Sequence, residues 1–284
     1  MISLDQAGLL AIDVGNSQVK FGWYPPEAAC TRKPQQSDLP VAAPRLVQPE
    51  ETLACAHFDV PCEEFMSRVG DWLDQLPTEG LRCCLASVHA EAQQWVLDLL
   101  DRYAAGSLHV LSVADLPIEV RVDEPEKVGI DRLLSAMAAN RLRKGGRSAV
   151  VVSLGTACTV NLISGDGAFE GGAILPGITM SAAALYSGTS ALPLLSSPGN
   201  EVPDDGVGKS TQAAIAAGLF WGLVGAVREL SSRMTRSCQE SPQLFLTGGD
   251  APRLAEKMAS ADIPVQYVPN MVLAGIHLAA KEMG

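Results

Sequence analysis

Three short stretches of this chain combine small, flexible residues with groups able to bind or move phosphate. In Leu10–Tyr24, LAIDVGNSQVKFGWY, an apolar run stops at Asp13, turns through Gly15 and Asn16, and resumes as an alternating strand. Gly15 lets backbone approach a ligand closely, Asn16, Ser17 and the turn amides can donate hydrogen bonds to phosphate oxygens, and Lys20 adds a positive point charge. Asp13, at the strand end, is placed to hold Mg²⁺ directly or through water, because magnesium sites use one or two carboxylates together with substrate phosphates. An ordinary tight hairpin capped by Asp and Asn has the same pattern. A second turn, SLGTACTVN, shifts the reading, since Gly155, Thr156 and Thr159 are again small donors with accessible amides. Two such hairpins facing one another would clamp a phosphate. Gly248 and Gly249, in LFLTGGDAPRL, follow a strand and precede a helix, which suits a nucleotide contact at a helix N-terminus.

In the order hairpin, hairpin, strand–Gly–Gly–helix, these stretches resemble the ATPase architecture of actin, sugar kinases and Hsp70. The segment EKVGIDRLLSAMAANRLR puts Asp131 and Arg132 at a helix start. There an acidic group is favoured by the helix dipole and often only caps the helix. A kinase also needs a carboxylate to orient the acceptor hydroxyl and take its proton, and Asp131 is the best placed candidate. GVGKST at 206–211 looks like a phosphate-binding P-loop, but Pro203 stands where the first glycine belongs and no strand leads into it, so that reading is rejected. The histidines at 57, 89, 109 and 277 lack ligand spacing and read as structural or surface residues.

The elements that must position these groups alternate. Strand-like runs fall near 9–13, 19–24, 82–87, 108–111, 149–153, 159–163 and 244–246. Helical patterns fall at 63–76, 90–103, 132–143, 210–234, 252–259 and 271–283, which together give an α/β fold. The strand–turn–strand pattern with Gly-Asn or Gly-Thr occurs twice, so two related halves are expected, residues 1–115 and 116–284. Residues 25–49 hold six prolines and read as a loop-rich excursion, and 196–206 as a polar loop or lid.

A net charge of −11 gives no electrostatic case for nucleic acid or an anionic membrane as partner. Seven cysteines without a C-x-x-C point to a reducing, cytoplasmic compartment rather than a disulfide framework or zinc ribbon. The N-terminus lacks a basic segment ahead of an apolar one, against a secretory signal. The run AAIAAGLFWGLVGAV is somewhat short for a bilayer span and reads as a buried helix.

With these residues assembled, the sequence resembles the type III pantothenate kinases, the family related to the Bvg accessory factor. The motifs that carry the likeness are DVGNSQVK, SVHAE, VGIDR, GTACT, GGAILPG, GTSALP, VGKST and LTGGDA, in that order. The resemblance implies two ribonuclease H-like domains of the actin/sugar kinase/Hsp70 ATPase superfamily. It also implies ATP- and magnesium-dependent phosphorylation of pantothenate at the entry to coenzyme A synthesis, and a homodimer with the substrate site near the subunit interface. Asp13, Gly15, Asn16, Ser17 and Lys20 match the first phosphate motif, and Gly155, Thr156 and Thr159 the second. Asp131 matches the general base, Gly129 and Arg132 fall where pantothenate binds, and Thr189 matches a position contributed by the other subunit. The family's second motif, D-x-G-T-A-x-T-x-D, has Ser153 and Asn161 at its aspartate positions here, which bears on its monovalent-cation site (K⁺ or NH₄⁺). A common tyrosine nine residues before the base is Val122. The alternative is a non-catalytic nucleotide- or pantothenate-binding relative disabled at Ser153 and Asn161. A chaperone sharing only the ATPase fold is disfavoured because 284 residues leave no room for a peptide-binding domain, and a sugar kinase because those are usually longer and would not be expected to combine VGIDR with GTSALP.

Overall fold

The computed structural model describes residues 8–26, 46–58, 60–77, 81–103, 108–195, 202–236, 238, 242–258 and 265–283. Most of the proline-rich stretch and residues 196–201 of the polar loop lie outside them. The described chain forms two compact units, 1–144 with 270–284, and 145–269. Residues 116–144 and the C-terminal helix, assigned by the sequence boundary near 115 to the second half, therefore pack in the first unit.

In the first unit a five-stranded sheet has the order β3-β2-β1-β4-β5. Its strands are β1 (Leu9–Val14), β2 (Gln18–Tyr24), β3 (Glu51–Ala56), β4 (Arg82–Ser87) and β5 (Leu108–Val110). β1 pairs antiparallel with β2 and parallel with β4, so it is central, and all six of its residues are buried. Successive side chains of a strand point to opposite faces. Leu10, Ile12 and Val14 enter one core with Phe65, Val69 and Leu73 of α1 (Cys62–Leu73) and Val96 and Leu99 of α2 (Ala90–Leu100). Asp13 accordingly points to the other face, where α3 (Ile130–Leu142) and the C-terminal helix Met271–Glu282 pack.

That C-terminal helix holds the second face together. Its His277 stacks on Tyr24 at 4.3 Å between ring centroids, and its Gly275 meets α3 so closely that a Cβ would lie 2.3 Å from the Leu134 carbonyl oxygen. The close crossing fixes α3, and with it the Asp131 end of that helix, over the sheet.

The second unit repeats the plan in the order β10-β9-β6-β7-β8. Here β6 (Ala149–Leu154) pairs antiparallel with β7 (Ala157–Ile163) and parallel with β9 (Gln243–Gly248), while β8 (Phe169–Pro176) and β10 (Val265–Tyr267) form the edges. The internal echo in the sequence is thus a repeated topology: one antiparallel meander of three strands, then two parallel additions. Val150, Val152 and Leu154 pack with Phe220, Val224 and Val227 of α5 (Thr211–Met234) and Leu254 and Met258 of α6 (Ala251–Met258). Numbered in chain order, the C-terminal helix is α7 and the helix after β8 is α4 (Ile178–Ser187).

α5 is long and apolar enough to cross a membrane, and one face packs on the second unit's sheet. A third of its apolar window is buried, so the helix read from sequence as buried is covered on one face only. Gly218, Gly222 and Gly225 line one exposed stripe with open space beside them. Pattern reading also missed β3, β8, β10 and α4.

Candidate functional site

Strand register builds the first half of the site. Asp13 stands directly across the ladder from Lys20, so both side chains project to the α3 face. Asp13 is 9% exposed. Burial pushes its carboxyl up to about 6, the nearby Lys20 ammonium pulls it down, and Asp131 pushes it up again. Asp131 in turn is raised by burial and lowered by hydrogen bonds from the backbone N–H groups of Arg132 and Asp131, by the Arg132 guanidinium and by Lys20. Burial lowers the Arg132 pKa while Asp131 raises it. Two carboxylates and two cations, from β1, β2 and α3, therefore interact within one unit.

Glycine at 129 gives the Asp131 carboxylate room, since a Cβ there would sit 2.7 Å from Oδ1, the movable end of that side chain. It begins α3 and leaves room for the carboxylate to fold back over the helix N-terminus. Val122 is half-buried upstream of this helix.

The Gly15–Ser17 turn leaves Asn16 exposed, with Gly15 and Ser17 half-buried. Gly15 N–H donates to the Gln18 carbonyl at 3.0 Å, and Val88 N–H to the Val14 carbonyl at 3.0 Å. A residue that spacing did not single out also reaches this turn: His57 Nε2 lies 2.9 Å from the Gly15 carbonyl oxygen, and His57 N–H donates to the Ser17 carbonyl at 3.2 Å. Its ring lies 4.6 Å from that of His89, whose Nδ1 caps α2 by accepting from Ala92 N–H. No motif signalled this, because His57 follows a strand that the sequence pattern did not reveal.

In the second unit, Gly155 and Thr156 form the β6–β7 turn, with Gly155 N–H donating to the Ala157 carbonyl at 3.1 Å. Ser153 stands opposite Thr159 on one side and Thr247 on the other, so one face of this sheet carries a row of hydroxyls. Asn161, 1% exposed, donates to Thr159 Oγ1 at 3.1 Å. By register, Ser153 occupies the place in β6 that Asp13 holds in β1, and the charged row of the first unit is neutral in the second.

Gly248 and Gly249 separate in role. Gly248 has φ +100° and a Cβ there would lie 2.2 Å from the Leu154 carbonyl oxygen, so packing already demands glycine. Gly249 is exposed with nothing close, leaving its backbone open to a ligand. Thr189 is exposed just beyond α4, its hydroxyl donating to the Leu185 carbonyl at 2.8 Å. Near the rejected P-loop, Ser210 caps α5 by accepting from Ala213 N–H, and residues 202–208 form no strand.

A model of the type III pantothenate kinase family matches residues 9–233. A type III pantothenate kinase of Paramagnetospirillum magneticum is 31% identical over 87% of this chain and 88% of its own length. That of Ruegeria sp. is 36% identical over 60% of this chain, a match spanning 63% of the relative's length, under two thirds. Among solved structures, a protein described as a Baf family transcriptional activator from Campylobacter jejuni superposes with TM-score 0.57 at 19% identity, covering 96% of this chain and 98% of that one. MreB 5 of Spiroplasma citri, bound to AMPPNP, gives TM-score 0.50 at 9% identity, covering 98% and 97%. At such identities the structural likeness shows the fold alone, one shared with both of these proteins.

The raised Asp13 pKa has a measurable consequence. The folded state holds this proton more tightly than the unfolded chain, so the associated stability is present below about pH 4 and lost as pH rises through about 6. Without nucleotide or metal, Asp13→Asn is expected to be more stable than wild type above pH 7, by on the order of 3 kcal/mol, with the gain shrinking toward pH 4. Urea midpoints at the two pH values check this; a pH-independent difference contradicts it.

Proposed function

This chain belongs to the type III pantothenate kinase family, and we propose that it transfers the γ-phosphoryl group of ATP to the hydroxyl of pantothenate, yielding 4'-phosphopantothenate in the cytoplasm. The observation that carries this reading is the convergence of Asp13, Lys20 and Asp131 beside the Gly15 turn in one unit. A protein that only bound nucleotide or pantothenate would have no need of a buried base.

In this mechanism Asp131 accepts the pantothenate hydroxyl proton as that oxygen attacks the γ-phosphorus and the bond to the ADP oxygen breaks. Lys20 and the Asn16 amide of the Gly15–Ser17 turn hold phosphate oxygens where negative charge develops, and the second unit presents small donors of the same kind at Gly155, Thr156 and Thr159. Gly249, with open space beside it, is suited to a nucleotide contact. The buried, raised Asp13 carboxylate suits Mg²⁺, which would neutralise phosphate charge when bound. Arg132, beside Asp131, is suited to pair with the pantothenate carboxylate.

Pantothenate-dependent ADP release by the wild-type protein tests the reading directly, and its absence overturns it. Asp131→Asn keeps the shape and a hydrogen-bond acceptor but removes the base. We expect kcat to fall by about 10²-fold or more while nucleotide affinity holds. A near-native rate would take Asp131 out of the mechanism.

A carboxylate oxygen adds charge attraction to a monovalent-cation site that a neutral oxygen does not. Ser153 offers a neutral hydroxyl and the Asn161 amide nitrogen donates to Thr159 Oγ1, so these two positions bring no negative charge to K⁺ or NH₄⁺. Turnover is therefore expected to be unchanged when K⁺ is replaced by Na⁺ or choline. Strong activation by K⁺ or NH₄⁺ would contradict this.

The protein acts as a homodimer in this reading, with the substrate site near the interface. The second unit exposes Ile174 at 64%, Met180 at 44%, Tyr186 at 51% and Val207 at 51%, together with the glycine stripe of α5. Exposed apolar side chains and open glycines of this kind suit burial against a second copy, with close helix approach at the glycines. Sedimentation is expected to show a dimer for wild type and a folded monomer for Gly222→Glu; a variant that remains dimeric moves the interface elsewhere.

A further inference from the structure

We propose that His57 is a positioning residue for the phosphate-binding turn, setting by its ring the direction of the Asn16 amide that meets nucleotide phosphate. The peptide unit is planar and trans, so a carbonyl and the following N–H point in opposite directions. The Gly15 carbonyl is held by His57 Nε2 at 2.9 Å, and the Asn16 N–H on the same plane is consequently turned to the other side. A carbonyl oxygen only accepts, so Nε2 carries the proton. The His57 main chain adds a second anchor through the Ser17 carbonyl at 3.2 Å. One residue thus fixes two peptide planes of a turn whose own side chains are too small to brace it.

The ring is itself held. His57 is 6% exposed, and its ring packs against His89 at 4.6 Å. His89 is immobilised by its Nδ1 cap on Ala92 N–H and by its own N–H donating to Ser87 Oγ at 3.2 Å. The β4–α2 junction also pins Val14 through Val88, so it supports both ends of the same brace. None of these groups needs to touch substrate; they act through the orientation of the turn.

The inference rests on ATP being the phosphate donor, and two variants separate the hydrogen bond from the packing. His57→Phe keeps a ring against His89 without a donor, whereas the Gln side-chain amide in His57→Gln places a donor near the Nε2 position. We expect His57→Phe to raise KM for ATP and the dissociation constant of Mg–AMPPNP roughly five- to ten-fold, with KM for pantothenate unchanged and His57→Gln close to wild type. Equal effects of both variants, or a Phe variant binding Mg–AMPPNP like wild type, overturn the proposal. Should His57→Phe not fold, the wild-type ring decides: ¹⁵N shifts at pH 8 are expected to show a protonated Nε2, and an unprotonated Nε2 overturns it. A wild-type protein that binds Mg–AMPPNP but does not phosphorylate pantothenate sinks the substrate reading and leaves this inference standing.

Discussion

Much of this protein depends on one electrostatic imbalance inside the first unit. Asp13 is buried on the central strand and faces Lys20 across the ladder, but Asp131 shares the same surroundings. Burial disfavours ionised carboxylates, and a single lysine beside two of them cannot fully compensate. Arg132 and the backbone N–H groups at the start of α3 ease the burden on Asp131. The residual strain falls on Asp13, whose carboxyl is pushed to about 6. A group left undercompensated in the free protein is one that a bound cation or a polyphosphate–metal complex can satisfy. The stability lost in the empty state is then recovered on binding, as expected for a site organised around its ligand.

The duplicated topology makes this imbalance easier to interpret, because the second unit shows the same frame without the charges. The row Asp13, Lys20 on β1 and β2 corresponds by register to Ser153, Thr159 on β6 and β7. Hydroxyls in a sheet satisfy one another and tolerate burial at little cost, whereas carboxylates do not. The first unit therefore carries a charged row at this place and the second a neutral, hydrogen-bonding one. Sequence repetition preserved the strand pairing while the chemistry diverged at the strand ends.

Much of the frame was legible because its strands are central. β1, β4 and β6 are apolar runs ended by polar residues, and their registers carry Asp13 and Ser153 to predictable faces. Motifs at strand and helix ends named Asp13, Lys20 and Asp131, but the boundary near 115 put Asp131 in the other half, and only the packing of α3 brings it to the first unit. Edge elements were harder: β3 has exposed residues at four of six positions and β8 carries paired glycines, so neither shows a clean period of two. α4 is short and mostly exposed, with little apolar face to betray it. The C-terminal helix was recognised, but its return to the first unit depends on a contact between Gly275 and Leu134 that no local pattern encodes. His57 was missed for the same reason, since its role arises from a partner 42 residues away.

Both candidate phosphate turns expose a general requirement. A turn that offers its N–H groups to an anion cannot use those same groups to hold itself, and small side chains add little packing. Beyond one internal bond in each turn, from Gly15 N–H to the Gln18 carbonyl and from Gly155 N–H to the Ala157 carbonyl, the bracing is made through the turn's carbonyls from outside it. In the first unit the Val14, Gly15 and Ser17 carbonyls are taken by Val88 and His57. In the second, Thr156 is held by Gly177 N–H at 3.0 Å, and a Cβ at Gly177 would lie 2.2 Å from the Gly155 carbonyl oxygen. One turn is braced by an imidazole and a strand–helix junction, the other by a glycine that lets the β8–α4 junction come against it. The repeated fold thus reaches the same mechanical end by different residues, which is why the braces, unlike the turns they support, leave no common motif in the sequence.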